Sequence, residues 1–154
     1  MLIIGCGSIG TRHAKNLQLL GAEVFVYDRE PEKMAKLAKD LHADIYDFQS
    51  HHLPIDSFII CTPPEFHIPF ALEALEHNSH IFIEKPLSNT LDRVDEVIEK
   101  AKKQNRVLMV GYQFRFNSTL KHIKTLIEGG EIGRVLSIRA EMGQDLRDWH
   151  PAED

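Results

Sequence analysis

Three glycines and one acidic residue near the start of the chain have types and a spacing that chemistry could use. The glycines fit the pattern G-x-G-x-x-G, which here reads Gly5, Cys6, Gly7, Ser8, Ile9 and Gly10. In such a turn the first glycine permits a tight bend, the second lets the backbone approach a pyrophosphate, and the third lets a helix pack on a strand. Asp28 stands at about the 20-residue distance expected for the acid that contacts a ribose. The pattern therefore predicts a dinucleotide site, against the alternative of a glycine-rich turn that binds nothing.

Asp28 and its neighbour Arg29 bear on the kind of dinucleotide. A carboxylate beside the ribose repels the 2′-phosphate of NADP, so Asp28 favours NAD. Arg29 could stack on the adenine, pair with a 2′-phosphate, or lie solvated on the surface, which keeps NADP open. A flavin or S-adenosylmethionine enzyme that reuses the same fold is a third alternative. The two residues thus favour NAD, with NADP as the second candidate.

Three other polar clusters follow apolar runs that have the pattern of strands. Their cofactor candidates are Cys61, Thr62, Pro63, Pro64 and His67 after one run, Glu84 and Lys85 after the next, and Gln113 after the last. In doubly wound sheets, ligands bind beyond the carboxyl ends of the strands. We therefore expect these clusters at the sheet edge that also carries the glycine turn.

Lys85 is the candidate for catalysis. A lysine near a nicotinamide ring can hold or relay the proton of a substrate hydroxyl, and Glu84 would be its charge partner. The plain alternative is an ion pair at the end of a strand. His67 could contact cofactor or substrate, although a histidine at the start of a helix more often has no such role. Cys61 at a strand end is expected to be buried and unreactive.

The hydrophobic pattern supplies the elements that must position these residues. Short apolar runs alternate with stretches whose apolar residues recur at helical spacing, such as Ala14, Leu17 and Leu20. Strands are predicted within residues 1–4, 23–28, 43–46, 57–61, 80–84 and 106–110. The helix before the last of these strands is expected to begin near Asn89 or Thr90. This alternation predicts an α/β protein with a doubly wound parallel sheet and helices on both faces.

Composition and charge exclude several classes of protein. The chain has 154 residues, of which 43% are hydrophobic and 27% charged, as in ordinary globular proteins. No apolar run approaches the roughly 20 residues of a membrane helix, and a net charge of −5 with scattered basic residues argues against nucleic acid as a partner. Two cysteines without a disulfide framework favour the cytoplasm. His51 and His52 lack a third ligand at metal spacing, so no metal is expected.

Taken together, these motifs resemble the Gfo/Idh/MocA family of oxidoreductases. The resemblance is carried by the glycine turn with Thr11, Arg12 and His13, by Thr62-Pro63-Pro64, by Glu84-Lys85-Pro86, by Tyr112, Arg115, Phe116 and Asn117, and by Gly130-Glu131-Ile132-Gly133. It implies an N-terminal Rossmann domain that binds NAD or NADP, and a C-terminal α/β domain that binds a sugar, a cyclitol or a related polyol. It also implies that Lys85 orients the substrate and helps to move its proton while hydride passes to the nicotinamide.

The pattern of apolar and polar residues along the sequence changes near residue 110. We expect residues 1–110 to form the NAD(P)-binding domain and residues 111–154 to begin a truncated substrate domain, because members of the family are typically much longer and carry a catalytic Asp and His in the missing part. Such a chain should bind NAD and turn over poorly. An alternating strand over Arg134–Met142 would leave an edge through which copies associate as a homo-oligomer. The alternative from a different class is a non-enzymatic NAD(P) sensor or scaffold.

Overall fold

The structure is a computed structural model that describes residues 1–49 and 54–143. Its chain divides into two units, Met1–Tyr112 and Gln113–Asp154, and each is described on its own. The predicted histidine pair, His51 and His52, lies outside the described residues.

The first unit is built on a six-stranded sheet in which every neighbouring pair of strands is parallel. The strands are β1 (Leu2–Ile4), β2 (Phe25–Tyr27), β3 (Asp44–Ile45), β4 (Ser57–Ile60), β5 (His80–Ile83) and β6 (Leu108–Val110). They lie in the order β3-β2-β1-β4-β5-β6. That order is the doubly wound Rossmann arrangement, so the predicted fold class is confirmed.

The apolar runs of the sequence form strands because both faces of the sheet are covered. Leu2, Ile3 and Ile4 of β1 are all fully buried. Because successive side chains of a strand point to opposite faces, Leu2 and Ile4 join one core and Ile3 joins the other. The first core also contains Phe58 and Ile60 of β4.

Among the described residues, four helices connect the strands of this unit. They are α1 (Ser8–Leu19), α2 (Pro31–Leu41), α3 (His67–Glu76) and α4 (Val94–Lys103), and a 3₁₀ turn at Pro64–Phe66 leads into α3. The apolar stripe predicted for α1 is wrong at Leu20, which is 82% exposed. Leu20 lies beyond the last helical residue, where the chain turns at Gly21 with a φ of 82°, so it no longer faces the sheet.

The predicted start of α4 near Asn89 or Thr90 is also wrong, since the helix begins at Val94. Upstream, the backbone N–H of Thr90 donates to Ser88 Oγ, and that of Asp92 donates to Thr90 Oγ1. Side-chain oxygens that capture nearby backbone N–H groups stabilise turns at the expense of helix. These local bonds explain why the helix begins later than its sequence pattern indicates.

The second unit contains a 3₁₀ turn at Gln113–Phe116 and the helix α5 (Ser118–Glu128). Asn117 caps α5, because its Oδ1 accepts a hydrogen bond of 3.1 Å from the backbone N–H of Leu120. The strand predicted over Arg134–Met142 is wrong: these residues adopt no regular secondary structure. A strand is stabilised by ladder bonds to a neighbour, and within residues 1–49 and 54–143 no segment pairs with this one.

The helices of the described segments are too short or too polar to cross a membrane.

Candidate cofactor site

The three glycines of the turn meet different surroundings, as their separate roles require. Gly5 has a φ of 96°, and a Cβ built there would lie 2.7 Å from the carbonyl carbon and oxygen of Cys61. A Cβ on Gly10 would lie only 1.8 Å from the carbonyl oxygen of Gly5. A Cβ on Gly7 would meet no atom within 4 Å. The outer glycines are therefore required by packing, whereas the middle one leaves open space for an approaching ligand.

The N-terminus of α1 is suited to an anion. Gly7 is the capping residue and offers no side chain to the first turn, which contains no acidic residue. Gly7, Ser8 and Ile9 are exposed. The first N–H groups of a helix have no partner within the helix, and the dipole places partial positive charge at that end. A phosphate group can accept hydrogen bonds from these N–H groups, and its negative charge is attracted to this end of the helix.

Asp28 lies just beyond β2, and its carboxylate is tied to the glycine turn. Its Oδ2 accepts a hydrogen bond of 2.6 Å from the backbone N–H of Cys6, and its Oδ1 accepts one of 2.8 Å from the N–H of Glu30. A carboxylate offers about four lone-pair positions. Asp28 can therefore accept hydrogen bonds from ribose hydroxyls while it holds the turn.

Arg29 makes a contact that the sequence pattern did not indicate. Its guanidinium carbon lies 4.8 Å from the centre of the Phe66 ring, in the 3₁₀ turn that follows the proline loop. Such stacking of a guanidinium on an aromatic face is favourable. The contact links the segment after β2 to the segment after β4.

The loop after β4 presents a polar atom that lacks a partner. Thr62 Oγ1 is buried and makes no hydrogen bond within the described residues. Pro63 and Pro64 follow it, and their rings fix the backbone φ at two successive positions. A buried hydroxyl without a partner is costly, so Thr62 is suited to donate to or accept from a bound ligand.

Both cysteines near this loop are poor nucleophiles. Burial raises the pKa of the Cys61 thiol to about 12, and the charges of Glu84 and Cys6 add to the effect. Burial and the charge of Asp28 raise the pKa of the Cys6 thiol to about 12. Cys61 is partly exposed, less buried than its strand position predicts. A thiol that keeps its proton at neutral pH does not attack a substrate.

Glu84 is held by a residue that the sequence analysis did not pair with it. His13 Nε2, from the start of α1, lies 2.9 Å from Glu84 Oε1, and the backbone N–H of Lys85 donates to Glu84 Oε2 at 3.1 Å. The His13 ring also packs edge-on against Phe82. The only sequence signal for this pair was the place of His13 three residues after Gly10, one helical turn along α1.

Gly111 allows the Glu84 carboxylate its position, because a Cβ there would lie 2.9 Å from Phe82 Cζ and 3.3 Å from Glu84 Oε1. Lys85 itself is exposed just after β5. Gln113 belongs to the second unit, where it begins the 3₁₀ turn.

His67 is buried inside the protein and contacts the backbone of the loops, rather than being exposed on their surface. Its side chain is almost fully buried, with 1% exposed. Its Nδ1 lies 2.9 Å from the carbonyl oxygen of Pro86, and its Nε2 lies 2.8 Å from that of Thr62. Both ring nitrogens are therefore engaged by the protein, which leaves neither for a cofactor.

The residues of the first unit fit a dinucleotide on three observations. The space at Gly7 is open, the N-terminus of α1 has no side-chain cap, and the Thr62 hydroxyl has no partner in the described structure. All three features lie at the carboxyl edge of the sheet, where such folds bind nucleotides. By contrast, residues 1–49 and 54–143 hold no group of three or more His, Cys, Asp and Glu that could bind a metal.

Known proteins that resemble this chain are oxidoreductases. Residues 1–112 match the model of the GFO_IDH_MocA family, described as an oxidoreductase family with an NAD-binding Rossmann fold. The chain is 30% identical over 138 residues to the myo-inositol 2-dehydrogenase of Thermotoga maritima, a match covering 86% of this chain and 41% of the relative. It is 32% identical over 139 residues to the NAD⁺-dependent scyllo-inositol 2-dehydrogenase of Bacillus subtilis, covering 86% and 41%.

Solved structures give the same result. A probable dehydrogenase from Thermotoga maritima superposes with a TM-score of 0.77 at 29% identity, covering 86% of this chain and 41% of that one. The scyllo-inositol dehydrogenase of Lactobacillus casei, with NAD(H) and scyllo-inositol bound, has a TM-score of 0.75 at 25% identity and the same coverage. The chain thus spans about two fifths of the length of these relatives. Its motifs, its sheet order and the match over residues 1–112 agree, and the chain belongs to the Gfo/Idh/MocA family of NAD-binding oxidoreductases.

Proposed function

We propose that this chain is the cofactor-binding part of an NAD-dependent dehydrogenase, which transfers hydride between nicotinamide and a hydroxyl-bearing carbon of a sugar, cyclitol or related polyol. The observation that carries the proposal is the uncapped N-terminus of α1 beside the open position of Gly7, with Asp28 bonded to the same turn. In this arrangement the N-terminus of α1 can bind a pyrophosphate, and the Asp28 carboxylate can bind the ribose.

The loops beyond β4 and β5 would hold the remaining parts of the cofactor. Thr62 would supply its unpartnered hydroxyl, while Pro63 and Pro64 would shape the wall of the pocket. The carboxylate of Asp28 would repel a 2′-phosphate, which makes NAD the first candidate and NADP the second. Arg29 packs on Phe66 at the adjoining segment, where it would flank the adenosine end.

When bound, NAD supplies the nicotinamide carbon that exchanges hydride with the substrate. Lys85 would orient the substrate hydroxyl and relay its proton, as the general acid–base group of the reaction. Glu84 would contribute indirectly, because its carboxylate accepts from the Lys85 backbone N–H and is itself held by His13. That linkage would fix the point from which the Lys85 side chain extends.

The relatives support a cyclitol within the wider class of polyols. Two of the proteins with the most similar sequences are dehydrogenases of myo-inositol and scyllo-inositol, and one related structure contains scyllo-inositol. The unit Met1–Tyr112 would contribute the cofactor side of such a site. We expect the location to be cytoplasmic, which the two free thiols support.

Titration of the chain with NADH and NADPH, followed by nicotinamide fluorescence, tests the proposal. We expect NADH to bind more tightly than NADPH, and the substitution Asp28→Ser to narrow that difference because the repelling charge is removed. A thermal melt with FAD and S-adenosylmethionine in place of NADH serves as the comparison. Stabilisation by either of these, and by neither nicotinamide cofactor, would contradict the proposal.

Association of copies of the chain remains a prediction. Leu136, Ile138 and Met142 are 77–81% exposed, and exposed apolar side chains favour association. Residues 134–142 form no strand and therefore offer no sheet edge, so the exposed apolar side chains alone support the prediction. A monomer mass in gel filtration at high protein concentration would contradict it.

A further inference from the structure

We propose that His67 is a positioning residue whose doubly protonated ring ties the loop carrying Lys85 to the loop carrying Thr62. The protonation state follows from the geometry of the free protein. The consequence for cofactor binding rests on the proposed function.

The position of His67 suits such a tie. It is the first residue of α3, immediately after the 3₁₀ turn Pro64–Phe66, and its side chain is buried. One nitrogen contacts the carbonyl oxygen of Thr62, two residues past β4, and the other contacts that of Pro86, three residues past β5. Because β4 and β5 are paired neighbours in the sheet, a single ring bridges the ends of adjacent strands.

The number of protons on the ring follows from the nature of the two partners. A carbonyl oxygen accepts hydrogen bonds and cannot donate one. A neutral imidazole has one N–H and one lone pair, so one of its nitrogens would face a carbonyl oxygen at 2.8 or 2.9 Å with lone pair against lone pair. Only the protonated ring, with two N–H groups, donates to both Thr62 and Pro86.

Two effects disfavour a positive charge on the His67 ring. Burial disfavours a charged ring, and the N-terminus of α3 carries a partial positive charge of its own. The carbonyl groups of Thr62 and Pro86 contact the ring nitrogens directly, and their dipoles favour the charged ring. If the ring loses a proton, one carbonyl loses its donor, and one loop is released from the other.

No counter-charge contacts His67 in the described part of the chain, where its polar contacts are the two carbonyl oxygens. Elements that pack against α3 are β4, β5, α4 and the 3₁₀ turn before it. The ionisable side chains on these elements, or within two residues of their ends, are Asp56, Cys61, Glu65, His80, Glu84, Lys85, Asp92, Arg93, Asp95, Glu96, Glu99, Lys100, Lys102 and Lys103, and α3 itself carries Glu73 and Glu76 and is followed by His77. The pH response of His67 must therefore be separated from theirs by comparing variants.

The direct test is a ¹⁵N NMR spectrum of the histidine rings of the intact chain at about pH 7, with His67 assigned by its absence from the variant His67→Phe. We expect both His67 nitrogens to show the shifts of protonated, hydrogen-bonded N–H groups. One protonated and one bare nitrogen would overturn the proposal. This measurement needs no cofactor, so it stands even if the chain binds no NAD.

The second test measures the dissociation constant for NADH against pH, using folded variants confirmed by circular dichroism. We expect wild-type affinity to fall as His67 loses its proton, and His67→Phe to bind about 10-fold more weakly with that step of the profile removed. The variant His77→Gln, which removes a histidine at the other end of α3, is the matched control and should keep the wild-type profile. Equal profiles for wild type and His67→Phe would overturn the positioning role.

Discussion

Gly7 and Gly10 are separated by only two residues, yet a methyl group on each would have a different effect. At Gly7 the φ is −71° and the space is open, so alanine fits without strain. We expect Gly7→Ala to leave the melting temperature almost unchanged and to weaken NADH binding about 10-fold or more, because the methyl group occupies the approach to the pyrophosphate. Fluorescence titration and a thermal melt measure the two quantities.

Asn16→Ala, on the exposed face of the same helix, is the control for this change and should alter neither quantity. Wild-type NADH affinity in Gly7→Ala would mean that the pyrophosphate does not bind at this turn.

Lys85 should separate catalysis from cofactor binding. Its side chain is exposed beyond β5, and the proposed role concerns the substrate proton rather than the dinucleotide. We expect Lys85→Ala to keep NADH affinity within about 2-fold and to lose whatever inositol-dependent NADH formation the chain supports, by about 100-fold or more. Undiminished turnover in Lys85→Ala would exclude the acid–base role, and Lys103→Ala on α4 provides a lysine control.

The two thiols should make the fold sensitive to alkaline pH. In the folded chain, burial raises the pKa values of Cys6 and Cys61 from 9.0 to about 12, whereas unfolded thiols ionise near 9. Their contribution to stability is therefore fully present below pH 9 and is lost as the pH rises from 9 to 12, because the unfolded chain releases thiol protons that the folded chain retains. Urea unfolding at pH 8 and pH 10 measures the loss.

Other groups also titrate in this range, so the comparison is with the double variant Cys6→Ala, Cys61→Ala. Its free energy of unfolding should fall less between the two pH values than that of the wild type. An equal fall would show that the thiols ionise normally in the folded chain.

At the scale of the elements, the contact between β1 and α1 depends on Gly10. A Cβ at this position would lie 1.8 Å from the carbonyl oxygen of Gly5, which belongs to the backbone and cannot rotate away. We expect Gly10→Ala to displace α1 from the sheet and to destabilise the first unit by about 3 kcal/mol or more. Chemical denaturation measures the change, with Gly7→Ala as the matched control. A stable Gly10→Ala variant would mean that α1 can shift at little cost.

The order of the elements could be predicted from the sequence because periodicity reports directly on burial. Leu2, Ile3 and Ile4 form a continuous apolar run, and a strand covered on both faces requires one. Element ends were less predictable, because they depend on single hydrogen bonds such as that from the Thr90 N–H to Ser88 Oγ. The strand expected at Arg134–Met142 failed for a related reason, since alternation describes a face but cannot supply a pairing partner.

Part of the candidate site could likewise be predicted from the sequence, and part could not. The glycine turn and Asp28 could be found from spacing, because each position has its own steric or charge requirement. The pairing of His13 with Glu84 and the stacking of Arg29 on Phe66 join residues far apart in the chain, and no local pattern reports on them. His67 was a candidate ligand by position alone. Its two carbonyl partners became visible only once the ends of β4 and β5 were adjacent.

At the scale of the whole molecule, the features that fit NAD all lie in the unit Met1–Tyr112. The open position at Gly7, the Asp28 carboxylate, the Thr62 hydroxyl and the tie at His67 are contributed by α1, α3 and the ends of β2, β4 and β5. The family match covers the same span, residues 1–112. We therefore expect the unit Met1–Tyr112 to bind NAD without residues 113–154.

A chain that ends at Tyr112 is expected to retain the NADH affinity of the 154-residue chain within about 3-fold, because less than 1 kcal/mol of binding energy should come from residues 113–154. Titration of both chains under the same conditions measures this. If the shorter chain is folded by circular dichroism yet binds NADH 10-fold or more weakly, then Gln113 or its neighbours contribute to the site. In that case Gln113→Ala in the full chain should reproduce the loss of NADH affinity.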